Sequence, residues 1–350
     1  MLPHILMMPQ KIVLFNHKGG VSKTTTSFHI GWKLAEMGHR TLLVDGDPQC
    51  NLTSLFLGAE GFDRYFTEEA TSNKNIKDGV APVFEGQPIQ IQAFKCPNAS
   101  RNRNLYLLPG HMNLSEYEAN LSFALGATSV LSALKNLPGA YNHLIETICE
   151  QYDIDYAIID LNPALSALNQ VLFLSADAFV IPLNPDCFAK MALKSLSTIL
   201  PGWVNWSVKN RDMYDGAAYC LPSKPPRFVG VIPQRFNIRN GKPTTAYAIQ
   251  ISELLEIVKS DVVPSFARMG MTFSTADYEA AGIPENRELM EIKDFQGLSP
   301  KSQKYSVPVY ALTDAELEAQ GAALKVSKSN RKEFGQMYEE ICKKIELLPI

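Results

Sequence analysis

Ile12-Val13-Leu14-Phe15 leads through Asn16-His17 into Lys18-Gly19-Gly20-Val21-Ser22-Lys23-Thr24-Thr25: an apolar run, a glycine-rich loop and a Lys-Thr pair in that order. A β-strand that ends in such a loop and continues as a helix is how a phosphate cradle is built. Backbone N–H groups converge on the phosphates, the lysine adds a point charge, and the hydroxyl ligates Mg²⁺. The flanks agree: Thr25 to Met37 reads as a helix closed by Gly38, and Thr41-Leu42-Leu43-Val44 reads as the next buried strand. The loop carries a second lysine, Lys18, at its head. A cation there can reach across a dimer interface to a neighbour's nucleotide, as an arginine finger does.

Further along, Asp45-Gly46-Asp47-Pro48-Gln49-Cys50-Asn51-Leu52-Thr53, Tyr156-Ala157-Ile158-Ile159-Asp160-Leu161-Asn162-Pro163, and Ala176-Asp177 followed by Ile181-Pro182-Leu183-Asn184-Pro185 appear in sequence, with a weaker match at Val229 to Pro233. With the loop they resemble the deviant Walker A, switch I, Walker B with switch II, and following strand of the ParA/MinD family of P-loop ATPases, closest to the ParA type. The resemblance implies ATP and Mg²⁺ as cofactors. It implies nucleotide contacts from Lys18, Gly19, Gly20, Val21, Ser22, Lys23, Thr24 and Thr25, with Lys18, Lys23 and Asp47 catalytic. Lys18 acts across the dimer and Asp47 orients the attacking water, while Thr24, Asp45 and Asp160 hold Mg²⁺. It further implies a homodimer with ATP between the protomers, slow hydrolysis stimulated by a ParB-like or other partner protein, and adenine rather than guanine. Two positions depart from the pattern: Ser22 stands where the family has its last loop glycine, and His17 where Gln or Gly is usual. Glycine there lets the backbone approach the phosphates without a Cβ.

The composition is that of a globular chain, 46% hydrophobic and 20% charged over 350 residues, with no apolar run long enough to span a membrane. Residues 1–8 lack the features of a signal peptide and read as a lead-in strand or arm. Cys50, Cys96, Cys149, Cys187, Cys220 and Cys342 form no C-x-x-C pair, which argues against disulfides or a thiolate cluster and for a cytoplasmic protein. The six histidines show no metal-ligand spacing.

Strands alternating with helices predict an α/β fold, a doubly wound, mostly parallel sheet of about seven or eight strands with helices on both faces (a P-loop NTPase of SIMIBI type). One domain over 1–350 is expected, with insertions at about 59–104, 202–227 and 271–307. A helix is expected from about 187 to 200, the first insertion is read as an irregular excursion with short elements, and the third reads as loop-like and polar. Trp203 and Trp206 in the second are read either as partner anchors or as packing of that insertion onto the domain.

ParA-type relatives bind DNA non-specifically, and the candidates here are Arg235, Arg239, Lys242, Lys325, Lys328, Arg331 and Lys332. The net charge of −3 requires any such surface to be local. The stripe Phe334, Met337, Tyr338, Ile341, Ile345, Leu348 could serve a MinD-like membrane helix, but Glu339, Glu340 and Glu346 on that helix favour core packing, and no stable membrane association is expected. The function implied is DNA partition or cargo positioning on the nucleoid. The alternatives are an ATP-dependent switch subunit of a larger defence or regulatory complex and, less favoured, a MinD-like positioning ATPase.

Overall fold

A computed structural model describes residues 8–127, 134–236, 238–239, 242–243 and 245–350. The expected arm over 1–8 lies almost wholly outside them. In chain order the elements are β1 (Gln10–Leu14), α1 (Lys23–Glu36), β2 (Thr41–Gly46), α2 (Asn51–Thr67), α3 (Ile76–Phe84), β3 (Asn98–Ala99), β4 (Asn102–Leu108), α4 (Glu118–Gly126), α5 (Ala140–Gln151), β5 (Tyr156–Leu161), α6 (Ala167–Leu174), β6 (Ala178–Leu183) and α7 (Ala189–Asn210). There follow β7 (Arg227–Phe236), β8 (Ile238–Arg239), β9 (Lys242–Pro243), α8 (Thr245–Ile257), α9 (Val263–Ala267), α10 (Thr275–Ala280), β10 (Ile292–Lys293), α11 (Leu298–Tyr305) and α12 (Gly321–Glu346).

An eight-stranded sheet forms in the order β10-β7-β6-β1-β5-β2-β4-β3, parallel throughout except for the β3–β4 pair. Because side chains alternate along a strand, Val13 and Phe15 enter the core on one face, with α3 to α8, while Ile12 and Leu14 enter the other, with α1 and α12. β1 sits between β5 and β6; its own connection runs across β5 to β2, whereas that of its neighbour β6 runs the other way to β7. The loop after β1 therefore opens at a switch point, the crevice where such sheets bind ligands.

Two expectations are corrected, for α7 and for the 271–307 stretch. The 59–104 segment holds short elements between irregular stretches, as expected: α2 runs on to Thr67 past a break at Gly58 (φ 72°, ψ 166°), α3 follows, and 68–75 and 85–97 are turns and coil. α7 does not stop near residue 200 but continues through Pro201-Gly202 to Asn210. Proline leaves the carbonyl four residues back without its helical donor. Here the Ser197 carbonyl accepts instead from Ser265 Oγ at 2.6 Å, which removes the cost of the missing N–H. Trp203 is thereby a helix residue packed on Phe15 and Phe173, each with ring centroids 5.6 Å away. The 271–307 stretch, read as loop, contains α10, β10 and α11.

The α12 stripe is core: Phe334, Tyr338, Ile341, Ile345 and Leu348 are buried and Met337 packs beside them. Among the described residues no helix is long and apolar enough to cross a membrane. α12 is joined to α1 through His29, which is fully buried against Phe295, Tyr310 and Tyr338. Its Nδ1 lies 2.7 Å from the Thr25 carbonyl and its Nε2 accepts from Val309 N at 3.1 Å, so a neutral ring satisfies both nitrogens. Burial pushes its pKa down to about 3.

Candidate nucleotide site

The loop between β1 and α1 is held by side chains at the sheet's C-terminal edge. Asn16, almost fully buried, donates Nδ2 to the Pro182 carbonyl at 2.9 Å and accepts the Lys18 N–H on Oδ1 at 2.9 Å. Gln234, at the end of β7, donates to the Val21 carbonyl at 2.6 Å and accepts from Thr26 Oγ1 at 3.0 Å. Asn184 and Arg235 each donate to the Gly20 carbonyl at 3.0 Å. With the Gly20 and Val21 carbonyls engaged by the protein, this part of the loop is left to offer N–H groups.

Gly20 and Ser22 are both left-handed, with φ of 72° and 59°. Ser22 is the N-cap of α1, yet its side chain makes no capping hydrogen bond. The departure from glycine thus falls on a position whose geometry favours glycine, at a cost of about 1 kcal/mol.

Lys23 is buried and folds over its own loop, donating Nζ to the Asn16 carbonyl at 2.9 Å. Burial lowers its pKa, opposed by the charges of Asp160 and Asp47. Thr24 and Thr25 are half-buried at the head of α1. Asp45 and Asp160, at the ends of neighbouring strands, are paired in register and fully buried. Asp45 Oδ2 accepts from Thr53 N at 2.8 Å and Thr53 Oγ1 at 2.6 Å, and its Oδ1 accepts from Asp47 N at 3.2 Å. Asp160 Oδ1 accepts from Ser27 Oγ at 3.1 Å, while its Oδ2 is buried without a hydrogen-bond partner. Burial first, then Asp45, raises the Asp160 pKa to about 7; burial raises that of Asp45 to about 6. An orphaned carboxylate oxygen beside a Lys-Thr loop fits a divalent cation, which would supply the missing partner.

Asp47 caps the turn after β2 by accepting Gln49 N on Oδ1 at 2.9 Å. It lines, with residues 19–25, Asn51, Pro163, Arg235 and Gln303, a cleft of about 620 Å³. Lys18, unlike Lys23, points away from the cleft floor and ion-pairs with Asp186, in the loop after β6. The predicted loop and carboxylates thus meet at one place. Thr53 and Asn184 lay within quoted motifs without an assigned role, and Asn16, Ser27, Asp186 and Gln234 were not anticipated, because polar residues of ordinary type give no local signal for a contact made across the sheet.

Of the DNA candidates, Arg235 is exposed and lines this cleft, where it donates to the Gly20 carbonyl. Lys328 and Arg331 are both paired with Asp314, at 2.6 and 3.0 Å, whereas Lys325 and Lys332 are exposed. The side chains of Arg239 and Lys242 lie outside the described residues.

Comparison with known proteins agrees with this geometry. A family model described as "AAA domain" (AAA_31) matches residues 9–204. The sporulation initiation inhibitor protein Soj of Bacillus subtilis is 32% identical over 189 residues, covering 54% of this chain and 64% of Soj. The chromosome partitioning protein ParA of Caulobacter vibrioides is 31% identical over 186 residues, covering 53% and 60%. The chain thus matches less than two thirds of the length of either relative. Among solved structures, an ATP complex of McdA from Cyanothece superposes with a TM-score of 0.57 at 18% identity, covering 92% of this chain and 96% of that one. The matched segment holds every motif from the glycine-rich loop to the loop after β6, and the chain belongs to the AAA_31 family, as a P-loop ATPase of ParA/MinD type.

Proposed function

We propose that this chain is a ParA-like ATPase, one P-loop unit that binds ATP with Mg²⁺ in the 620 Å³ cleft and dimerises face to face around it. The observation that carries the reading is the division of labour between the two lysines. Lys23 is buried on the loop floor, while Lys18 stands on the rim, tied to a carboxylate that a second nucleotide's phosphates could replace. In this reading Gly19, Gly20, Val21 and Ser22 offer N–H groups and Lys23 the in-cis charge. Thr24 and Asp160 hold Mg²⁺, and Asp45, already bonded to Thr53, orders the surrounding waters. Asp47, on the cleft wall, orients the attacking water. Lys18 neutralises charge on the partner's phosphates. Hydrolysis is slow alone and stimulated by a ParB-like or other partner, in DNA partition or cargo positioning on the nucleoid. The test is ATP turnover with Mg²⁺ by the wild type, Lys23→Ala and Asp160→Asn. The reading requires measurable turnover in the first and its loss in both variants.

A second reading, an ATP-dependent switch subunit without DNA transport, draws on the pairing of Lys328 and Arg331 with Asp314 and the placement of Arg235 in the cleft. DNA binding measured across a salt titration, with and without ATP, separates the two. Binding that needs ATP and falls steeply with salt supports partition; its absence supports the switch subunit.

A further inference from the structure

The segment that follows β5 is held from two sides. Asn169 of α6, fully buried, has its amide nitrogen 3.0 Å from the Asn162 carbonyl, 2.9 Å from Asn162 Oδ1 and 2.6 Å from the Ala164 carbonyl. The first turn of α6 is then capped twice. Ser166 Oγ accepts from Asn169 N at 3.1 Å, and Glu118, the first residue of α4, accepts Ala167 N on Oε1 at 2.6 Å and Leu168 N on Oε2 at 3.0 Å. A carboxylate shared by two N–H groups at a helix start is a strong, directional hold.

The other end of α4 is held just as specifically. Its last carbonyls have no helical donor. Those of Ala124 and Leu125 accept instead from Tyr214 Oη at 2.6 Å and Trp206 Nε1 at 2.8 Å. Trp206 lies near the end of α7 and Tyr214 in the 3₁₀ turn after it; with Arg211 and Tyr219 they line a cavity of about 450 Å³. Nine-residue α4 is therefore a strut, bonded by a charged side chain to the nucleotide-side segment and by two aromatic side chains to a remote cavity wall.

We propose that Glu118 is the positioning residue of the Asn162–Ser166 segment, and that α4 carries the state of that segment to Trp206 and Tyr214. The inference rests on the ATPase reading, in which the cleft that Pro163 of this segment lines holds the nucleotide, so that the segment responds to what is bound there. A movement of the α6 N-terminus must either pull Glu118 with it or break both of its bonds. Since α4 is one continuous nine-residue helix, a shift at Glu118 reaches the Leu125 carbonyl that holds the Trp206 indole and the Ala124 carbonyl that holds Tyr214. A carboxylate that only stabilised α6 would lower stability when removed but leave the nucleotide response at Trp206 intact.

The experiment uses the full chain with Trp206 as the only tryptophan (Trp32→Phe, Trp203→Phe), alone and with Glu118→Ala or Glu118→Gln. Steady-state hydrolysis and Trp206 emission with Mg²⁺ and either AMPPNP or ADP are recorded. The expected result is a shift of Trp206 emission between the two nucleotides that Glu118→Ala abolishes, and a fall in kcat of about tenfold, the size of one lost charge-assisted contact, with KM within about twofold. Glu118→Gln, which keeps one acceptor oxygen, restores part of both. Glu118→Ala turnover equal to the parent's, or Trp206 emission that still follows the nucleotide in Glu118→Ala, would overturn the proposal. A parent that neither binds AMPPNP nor hydrolyses ATP would instead overturn the ATPase reading beneath it.

Discussion

Asp45 and Asp160 face each other in the β2–β5 register, both fully buried, and the protein satisfies the first but leaves Asp160 Oδ2 unpaired. Burial raises both pKa values, to about 6 and about 7, so without a cation the folded chain holds these protons to higher pH than the unfolded chain does. The stability that these protons contribute is therefore fully present below the ordinary carboxylate range and is lost as pH rises through 6 to 7. Metal-free thermal unfolding should therefore show Tm falling between pH 5.5 and 8 by more in the wild type than in Asp160→Asn. Mg²⁺ with ATP should raise the wild-type Tm more at pH 8 than at pH 5.5, where it competes with bound protons. Equal pH slopes in the two proteins would contradict this.

Ser22 occupies a left-handed position without a capping bond to justify its side chain. Ser22→Gly removes the backbone cost and loses no hydrogen bond made by the side chain, so unfolding should be harder by about 0.5–1 kcal/mol once the entropy of a freer unfolded chain is allowed for. Ser22→Val, β-branched at the same φ, should destabilise by about 1–2 kcal/mol or more. Urea unfolding with nucleotide absent reads both signs.

How much of this could be read from residues alone depends on how local the cause is. The strand-loop-helix around Lys23 and the carboxylates closing β2 and β5 were legible, since each is written in a short contiguous motif. The course of α7 was not. Pro201-Gly202 is a stop signal in isolation, and it is overridden by Ser265, which satisfies the Ser197 carbonyl from a distant segment. Glu118 and Asn16 gave no signal either, because their partners lie 49 and 166 residues away along the chain. The intramolecular partners of Arg235, Lys328 and Arg331 were illegible for the same reason: composition shows cations but not which carbonyl or carboxylate holds them.

His29 sits neutral between α1 and α12, with its pKa pushed down to about 3 by burial. An unfolded histidine takes up its proton near pH 6.5, so the unfolded state binds more protons below that pH and stability is lost as pH falls from about 6.5 toward 3. His29→Gln should flatten that acid limb while lowering stability at pH 7 by about 1–3 kcal/mol through lost packing and the donor left at Val309 N. Tm against pH for the two proteins checks it; parallel curves would show that other groups set the acid limb.

Asn16 braces the loop on both sides, so Asn16→Ala leaves the Pro182 carbonyl and the Lys18 N–H without that partner. The expected cost is about 1–3 kcal/mol in stability. Nucleotide affinity should fall alongside it, read by isothermal titration with AMPPNP and Mg²⁺. Unchanged affinity would mean that Gln234 and Asn184 hold the loop without it.

The ATP-gated dimer is tested most directly by the mass of the Asp47→Ala protein in solution, measured by light scattering with ATP and Mg²⁺ and again with ADP. Lys18 in the isolated chain is tied to Asp186, and the account has it exchange that partner for a phosphate on the facing protomer. The predicted result is a dimer with ATP only, abolished by adding Lys18→Ala. A mass that stays the same with either nucleotide, or a dimer that survives Lys18→Ala, would contradict it.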